Sequence, residues 1–182
     1  MAQNDVPRIQ VLWAEMSNPS RLAREIGNEA VNHFKDNFRL QGFLDGGLQK
    51  WKDVKRRDPN SPWYGFDYRG NKSKGKKKKK GKKGRKSRGA NFSQAATQRP
   101  ILTGTSMELQ RSLAYKVNTA SSRQISLAIT SDKPYASVQN EGGMIKVFGK
   151  HAAVLPARPF VGHSKELDDK IDKIVLEYLK LK

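Results

Sequence analysis

The sequence contains no cysteine, which excludes disulfides and thiolate metal sites and fits a reducing compartment. No apolar run approaches the ~20 residues that span a bilayer, so no membrane partner is expected. The first ten residues, MAQNDVPRIQ, lack the charged and apolar regions of a signal peptide. The expectation is a soluble protein that is not exported by a recognisable route. Acidic residues are also scarce, with 17 Asp and Glu against 36 Lys and Arg, for a net charge of +19. That excess is local. Thirteen basic residues and no acidic one lie between Arg69 and Arg88, so only +6 belongs to the rest of the chain.

Reactive constellations are missing as well. The 3 histidines, His33, His151 and His163, fall in different predicted elements, without a helical i, i+4 pair or a carboxylate at metal-ligand spacing. No G-x-S-x-G elbow is present. Gly142-Gly143 and the glycines of the Lys-rich stretch match neither a P-loop nor a dinucleotide fingerprint. The residues therefore point to no catalytic group, no cofactor and no metal, and to a protein that is not an enzyme.

What is present reads as one α+β domain. Ile9, Val11 and Trp13 alternate in a short N-terminal segment, which weakly favours a strand. Ser17-Asn18-Pro19 is a helix start, a capping residue followed by a proline whose missing N–H is harmless in the first turn. Leu22, Ile26, Ala30, Phe34 and Phe38 then recur every four residues, with Val31 widening the stripe, which predicts a helix to about Leu40. Such a helix is about 33 Å long at ~1.5 Å per residue. Gly42 and Gly46-Gly47 end it. His33 lies beside the stripe and reads as a structural or surface histidine. Trp51 reads as a plug at the edge of the core.

Farther on, Thr105 or Ser106 can cap a short helix over residues 107 to 112. Leu113, Tyr115 and Val117 alternate, as do Ile125, Leu127 and Ile129, with a polar turn between, so the region predicts an antiparallel hairpin. Tyr135, Ala136 and Val138 suggest another strand, and Gly142-Gly143 a tight reversal. Met144, Ile145, Val147 and Phe148 would return, with a bend at Gly149-Lys150. Pro156 and Pro159 fix φ twice around Arg158, placing it on a stiff extended arm suited to a fixed contact or to a plain connector. The last element is a helix capped by Ser164, with Leu167, Ile171, Ile174, Val175, Tyr178 and Leu179 on one face. The expected architecture is a long N-terminal helix, an antiparallel sheet of about four strands, and a C-terminal helix packed on the sheet.

The layout expected is an arm, long helix and connecting loop over residues 1–68, a flexible Lys/Arg-rich insertion over 69–99, and the sheet with its final helix over 100–182. The insertion cannot bury enough apolar surface to offset the entropy of ordering. Its Lys76, Lys77, Lys78, Lys79, Lys80, Lys82, Lys83, Arg85, Lys86 and Arg88 suit sequence-blind contact with nucleic-acid phosphates by counterion release. A solvated loop that aids solubility and a dock for an acidic protein surface fit the same composition.

Three ordered segments carry a resemblance. They are Ile101 to Leu113 (ILTGTSMELQRSL), Pro134-Tyr135-Ala136-Ser137-Val138 running to Gly142-Gly143, and Leu155-Pro156-Ala157-Arg158-Pro159-Phe160-Val161-Gly162. Together they resemble the phage virion morphogenesis family, the tail-completion or head–tail joining proteins of tailed phages and prophages. Gln139 stands where that family usually has histidine, and the Lys-rich stretch is longer than the family's pattern. The resemblance implies a structural virion protein of the neck or upper tail, made in the bacterial cytoplasm. It implies a ring homo-oligomer, expected six-fold, between connector or adaptor and tail-tube or tail-terminator proteins; double-stranded DNA is a further expected partner on the charge of the basic loop alone, a role the resemblance does not lend it. Under that implication Tyr135, Gly142, Gly143, Pro156, Arg158, Pro159 and Phe160 are subunit-contact residues, Arg158 facing a neighbour's carboxylate. The alternative is a small, basic, non-specific nucleic-acid-binding protein of the bacterial cytoplasm.

Overall fold

The computed structural model describes residues 8–12, 18–67, 92–104, 106–147 and 151–180. They fall into two compact units, Met1–Lys52 with Leu102–Lys182, and Asp53–Ile101.

The larger unit is built on helix α1, Pro19–Leu40. Asn18 caps it, its Oδ1 accepting from the Arg21 N–H at 3.1 Å, and Pro19 occupies the first turn as the sequence implies. The helix stops where Gln41 turns left-handed at φ 53°, its N–H bonding back to the Asn37 carbonyl. Leu22, Ile26, Ala30, Phe34 and Phe38 are all buried, so the four-residue spacing does mark the inner face. The buried set extends beyond them to Ala23, Gly27, His33 and Asn37, because the helix is covered on two sides.

One cover is a three-stranded antiparallel sheet in the order β1-β5-β4, made of Arg8–Leu12, Gln124–Thr130 and Ala114–Ala120. The β4–β5 hairpin forms as predicted, but the alternation holds on β4 only in part: Tyr115 is half-buried and Val117 is exposed, next to a register shift between Val117 and Thr119. Central β5 buries Ile125, Leu127 and Ile129. The Tyr115 ring on β4 sits where a side chain on Gly27 would be, 2.5 Å from an ideal Cβ, so the missing side chain brings α1 onto the sheet. The other cover is α5, Lys165–Lys180, which buries Leu167, Ile171 and Val175 and ties Lys170 Nζ to Glu29 Oε1 at 2.7 Å. The C-terminal helix therefore packs on α1, and the layering is sheet, α1, α5.

The expected single sheet of about four strands is not formed. Beside the three-stranded sheet there are two separate two-stranded ribbons: β2–β3, Gly42–Leu44 with Leu48–Lys50, and β6–β7, Gly143–Val147 with His151–Leu155. Alternation identifies a strand but not the strand it pairs with. The run around Tyr135 is not a strand either. It leads into a short helix, α4, Ala136–Glu141, and Gly142 at φ 77° closes that helix instead of reversing a hairpin. The short helix after the Thr-Gly turn is α3, Glu108–Arg111, which starts from a left-handed Met107 without a side-chain cap. Ser106 Oγ bonds instead to Glu108 Oε1 at 2.8 Å. Thr105, Trp13 and the Gly149-Lys150 bend lie outside the described residues.

The described part of the smaller unit is held by arginines as well as by a small aromatic cluster. Helix α2, Gln94–Gln98, is capped by Ser93, whose Oγ accepts from the Ala96 N–H. Arg56 donates to the carbonyls of Ala96, Arg99 and Pro100 at 3.1, 2.9 and 2.8 Å, and Arg57 to that of Arg99 at 2.9 Å. Arg99 in turn clasps Asp67 through both carboxylate oxygens, at 3.1 and 3.0 Å. Phe66 and Phe92 form an antiparallel bridge, with their rings edge to face at 5.5 Å and Trp63 against Phe66 at 5.2 Å. Residue 67 and residue 92, the two sides of the basic stretch, are thus held at one closed stem.

Candidate assembly surface

The segment after β7 is a strap, Pro156-Ala157-Arg158-Pro159-Phe160, which crosses the larger unit without regular structure of its own. Its backbone groups nonetheless have specific partners. Arg158 N–H donates to the Gln139 carbonyl at 3.0 Å. Trp51 Nε1 donates to the Pro159 carbonyl at 2.6 Å, and Asn37 Nδ2 to that of Phe160 at 3.1 Å. Asn140 Oδ1 accepts from both Phe160 and Val161 N–H groups, at 2.9 and 3.1 Å. The prolines explain the pattern: they have no N–H to satisfy, so the strap needs few donors matched and side chains of α1, α4 and Trp51 supply the rest.

Arg158 is placed inside this arrangement rather than on a presented arm. It is 5% exposed, and its Nε donates to the Lys52 carbonyl at 3.0 Å. Phe160 is buried against Phe38, ring centres 5.1 Å apart, and Trp51 meets Phe38 edge to face at 5.6 Å, so Trp51 does plug the core as its sequence position suggests. Gly142 lies so close to the strap that a Cβ would sit 2.6 Å from the Ala157 nitrogen and 2.8 Å from the Leu155 oxygen. Of the seven sequence-derived contact residues, Tyr135, Gly143 and Pro159 are exposed, Gly142 and Pro156 half-buried, and Arg158 and Phe160 buried. The structure brings the last five together around the strap.

A second polar knot fixes the strap's far end to α5. Ser164 Oγ donates to the Leu44 carbonyl at 2.7 Å and accepts from the Leu167 N–H at 3.3 Å, capping the helix. With the one Ser164 proton assigned to its shortest acceptor, the Leu44 carbonyl, rather than to Glu166 Oε2 at 3.4 Å, His33 Nε2, 2.9 Å away, is the donor to Ser164 Oγ and carries the ring proton. Burial, with the Lys170 ammonium next, holds the His33 pKa below its ordinary value, against weaker pulls from Glu166, Asp36 and Glu29. His33 is a structural histidine. Across the β2–β3 turn Glu166 accepts the N–H groups of Gly46 and Gly47 at 3.0 and 3.1 Å, and Asp45 Oδ1 accepts that of Lys165. Desolvation alone would raise the Glu166 pKa, but these backbone donors and its own N–H together lower it.

What the strap carries is the β6–β7 ribbon. One face, with Ile145, Ala153 and Leu155, is half-buried. On the other, Met144 and Val154 stand directly opposite each other and are 78% and 77% exposed. Asn37 and Asn140, the two amides that pin the strap, were not singled out by sequence pattern. The available signal was a polar pair, His33 and Asn37, four residues apart along the buried stripe of α1. The basic residues Lys76, Lys77, Lys78, Lys79, Lys80, Lys82, Lys83, Arg85, Lys86 and Arg88 lie outside the described residues. Among the described residues no cluster of three or more metal-ligating side chains occurs, and no helix is long and apolar enough to cross a membrane.

Comparison with curated proteins and with solved structures found no match. The sequence does match the phage virion morphogenesis family over residues 6–180, a span that takes in α1, the strap, the ribbon and all of α5. A match of that extent, together with the strap motif seated in a folded core, means that the chain belongs to the phage virion morphogenesis family.

Proposed function

We propose that this protein is a non-enzymatic structural part of the phage neck or upper tail, completing the tail or joining head to tail, and that it works as a ring of identical copies. The observation that carries the reading is the family match across nearly the whole chain. The geometry supports it. A strap pinned at five points gives a rigid base, and the ribbon it carries offers an apolar face that its own chain leaves uncovered. Exposed apolar surface of this kind is characteristic of contact sites. Tyr135, Gly143 and Pro159 are the exposed members of the contact set, while Gly142, Pro156, Arg158 and Phe160 act by holding the strap in place.

Ring symmetry would let each copy use two different surfaces, one toward each neighbour, with connector or adaptor proteins on one side and tail-tube or tail-terminator proteins on the other. The basic stretch, displayed from the Phe66–Phe92 stem, would contact duplex DNA. The decisive experiment combines sedimentation and negative-stain imaging of the purified protein with imaging of particles from phage lacking it. The expected result is a ring in isolation and unjoined heads and tails in its absence. A monomer at all concentrations, with normal particles formed without it, would overturn the proposal. The reading as a small cytoplasmic nucleic-acid-binding protein predicts that second outcome.

A further inference from the structure

This inference deepens the nucleic-acid part of the reading above and rests on it, namely that the basic stretch contacts DNA phosphates. Residues 69–91 contain no Phe, Trp or Tyr, so by themselves they neutralise charge without regard to whether bases are paired. The missing ring stands at their root. Trp63 is 40% exposed, whereas Trp51 is 7% exposed and gives its indole N–H to the Pro159 carbonyl. One exposed apolar ring decides nothing, since folded proteins carry many. Its position does. The Trp63 ring is set edge to face with Phe66 at 5.2 Å, and Phe66 is one side of the bridge to Phe92 that closes the stretch.

Main-chain bonds hold the segment that carries this ring. Trp63 N–H donates to Ser61 Oγ at 3.2 Å, the Trp63 carbonyl accepts from Phe66 N–H at 2.9 Å, and Gly65 N–H donates to the Arg56 carbonyl at 2.9 Å. A side chain so placed loses little freedom when it meets a flat partner. Three acidic groups lie near it in sequence and do not offset the basic charge. Asp53 is paired with Arg57 at 3.3 Å and Asp67 with Arg99 at 3.0 Å. Asp58 accepts the Asn60 N–H, and the exposed Lys55 lies three residues before it.

The unit Asp53–Ile101 as a whole carries 17 basic and 3 acidic side chains, so its partner is a polyanion. Arg69 follows Phe66 by three residues and Arg88 precedes Phe92 by four, so the chain keeps them within about 11 and 14 Å of the bridge. A ligand that meets those cations and the Trp63 ring together needs both phosphates and a flat face. Nucleic acid has both, and its base faces are free where the bases are unpaired. We propose that Trp63 is a stacking seat for an unpaired base, so that this protein binds single-stranded DNA more tightly than duplex of the same length.

Fluorescence anisotropy with a labelled mixed-sequence single strand and with its duplex, over a range of salt, compares the parent with Trp63→Phe and Trp63→Leu. Leucine keeps apolar cover over Phe66 and removes the aromatic face; circular dichroism checks that both variants fold. Trp63→Leu should bind the single strand about 5- to 150-fold more weakly, the scale of one stacked base, and the duplex nearly as the parent does. Its salt slopes should equal the parent's, because no phosphate contact is removed. Trp63→Phe should keep most of the affinity. Stacking also quenches indole emission, so the single strand should quench the parent more than Trp63→Phe. An unchanged single-strand affinity in Trp63→Leu, or an equal loss on strand and duplex, would overturn the proposal. Should Trp63→Leu not fold, quenching decides, and equal quenching of the parent and Trp63→Phe would overturn it. A parent that binds neither form would overturn this seat together with the DNA role of the basic stretch, and sedimentation of the same protein tests the ring separately.

Discussion

Asn37 and Phe160, 123 residues apart in sequence, are joined by a hydrogen bond from the Asn37 amide to the Phe160 carbonyl at 3.1 Å, at a site where Asn37 is fully buried. The other end of the same amide accepts the Leu44 N–H at 3.3 Å. One side chain on α1 thus satisfies both β2 and the strap. Replacing it with leucine keeps the volume but leaves both backbone groups in the interior without their partner. The expected loss is about 2–6 kcal/mol, since each of the two unsatisfied groups costs roughly 1–3. Urea unfolding of Asn37→Leu measures it, and a midpoint equal to the parent's would remove Asn37 from this role.

Gly27 against Tyr115 gives the opposite kind of expectation. In an exposed helix, alanine in place of glycine gains about 1 kcal/mol. Here the added methyl would fall within 2.7 Å of three ring atoms of Tyr115. Gly27→Ala should therefore destabilise, by about 1–3 kcal/mol as for other overpacked sites. Pairing it with Tyr115→Ala should return the helix-forming gain, so a double-mutant cycle on thermal unfolding separates the clash from the propensity.

The His33 shift has a definite sign. Its folded pKa lies below its unfolded one, so the unfolded chain takes up the proton first as pH falls. The stabilisation is fully present above the unfolded value, about 6.5, and is lost as pH drops from there toward the folded pKa. Glu166 is also depressed, and its contribution is lost only at lower pH, as the solution falls through the carboxylate range. Unfolding midpoints taken between neutral and mildly acid pH should decline in the parent and stay flatter in His33→Gln, which keeps a donor for Ser164 without titrating. Amide exchange at Gly46 and Gly47 should remain slow through the histidine range and quicken only when Glu166 is protonated or replaced by glutamine. A parent whose midpoint does not change across the histidine range would refute the His33 assignment.

Duplex DNA binding by the basic stretch should be steep in salt. With log K falling by about 0.9 per phosphate neutralised, engagement of even half of the lysines and arginines between residues 72 and 88 would give a slope of about −5. Deleting residues 72–88 should abolish that dependence while leaving the unfolding midpoint and the oligomeric state unchanged. Equal binding by the parent and the deletion variant would leave the stretch without a nucleic-acid role.

The elements of this fold that repeat a simple period were legible before any coordinates. The stripe of α1, the alternation of β5 and the inner face of α5 each set apolar residues at a spacing that only one regular structure buries on one side. Pairing and local chirality were not legible. Gly142-Gly143 permits a hairpin reversal and a helix stop equally well, and only the backbone at φ 77° separates them. The short run at Ala136 and Val138 fits either a strand or one turn and a half of helix. Arg158 shows why a charge in a motif is ambiguous. Its guanidinium was expected to face a neighbour, yet the carbonyl of Lys52, contributed by a distant loop, draws it inward. Nothing in the residues near position 158 encodes that carbonyl. Asn37 and Asn140 escaped notice for the same reason, since their partners are main-chain groups that no side-chain pattern reveals.

The Phe66–Phe92 bridge has an evolutionary corollary. Where the base of an excursion is already fastened, each doubling of its length costs only about 0.6 kcal/mol in closure entropy. The Arg99–Asp67 clasp and the facing phenyl rings therefore form a permissive socket. Related chains could lengthen, shorten or recharge the sequence between residues 67 and 92 while the Arg99–Asp67 and Phe66–Phe92 contacts stay the same.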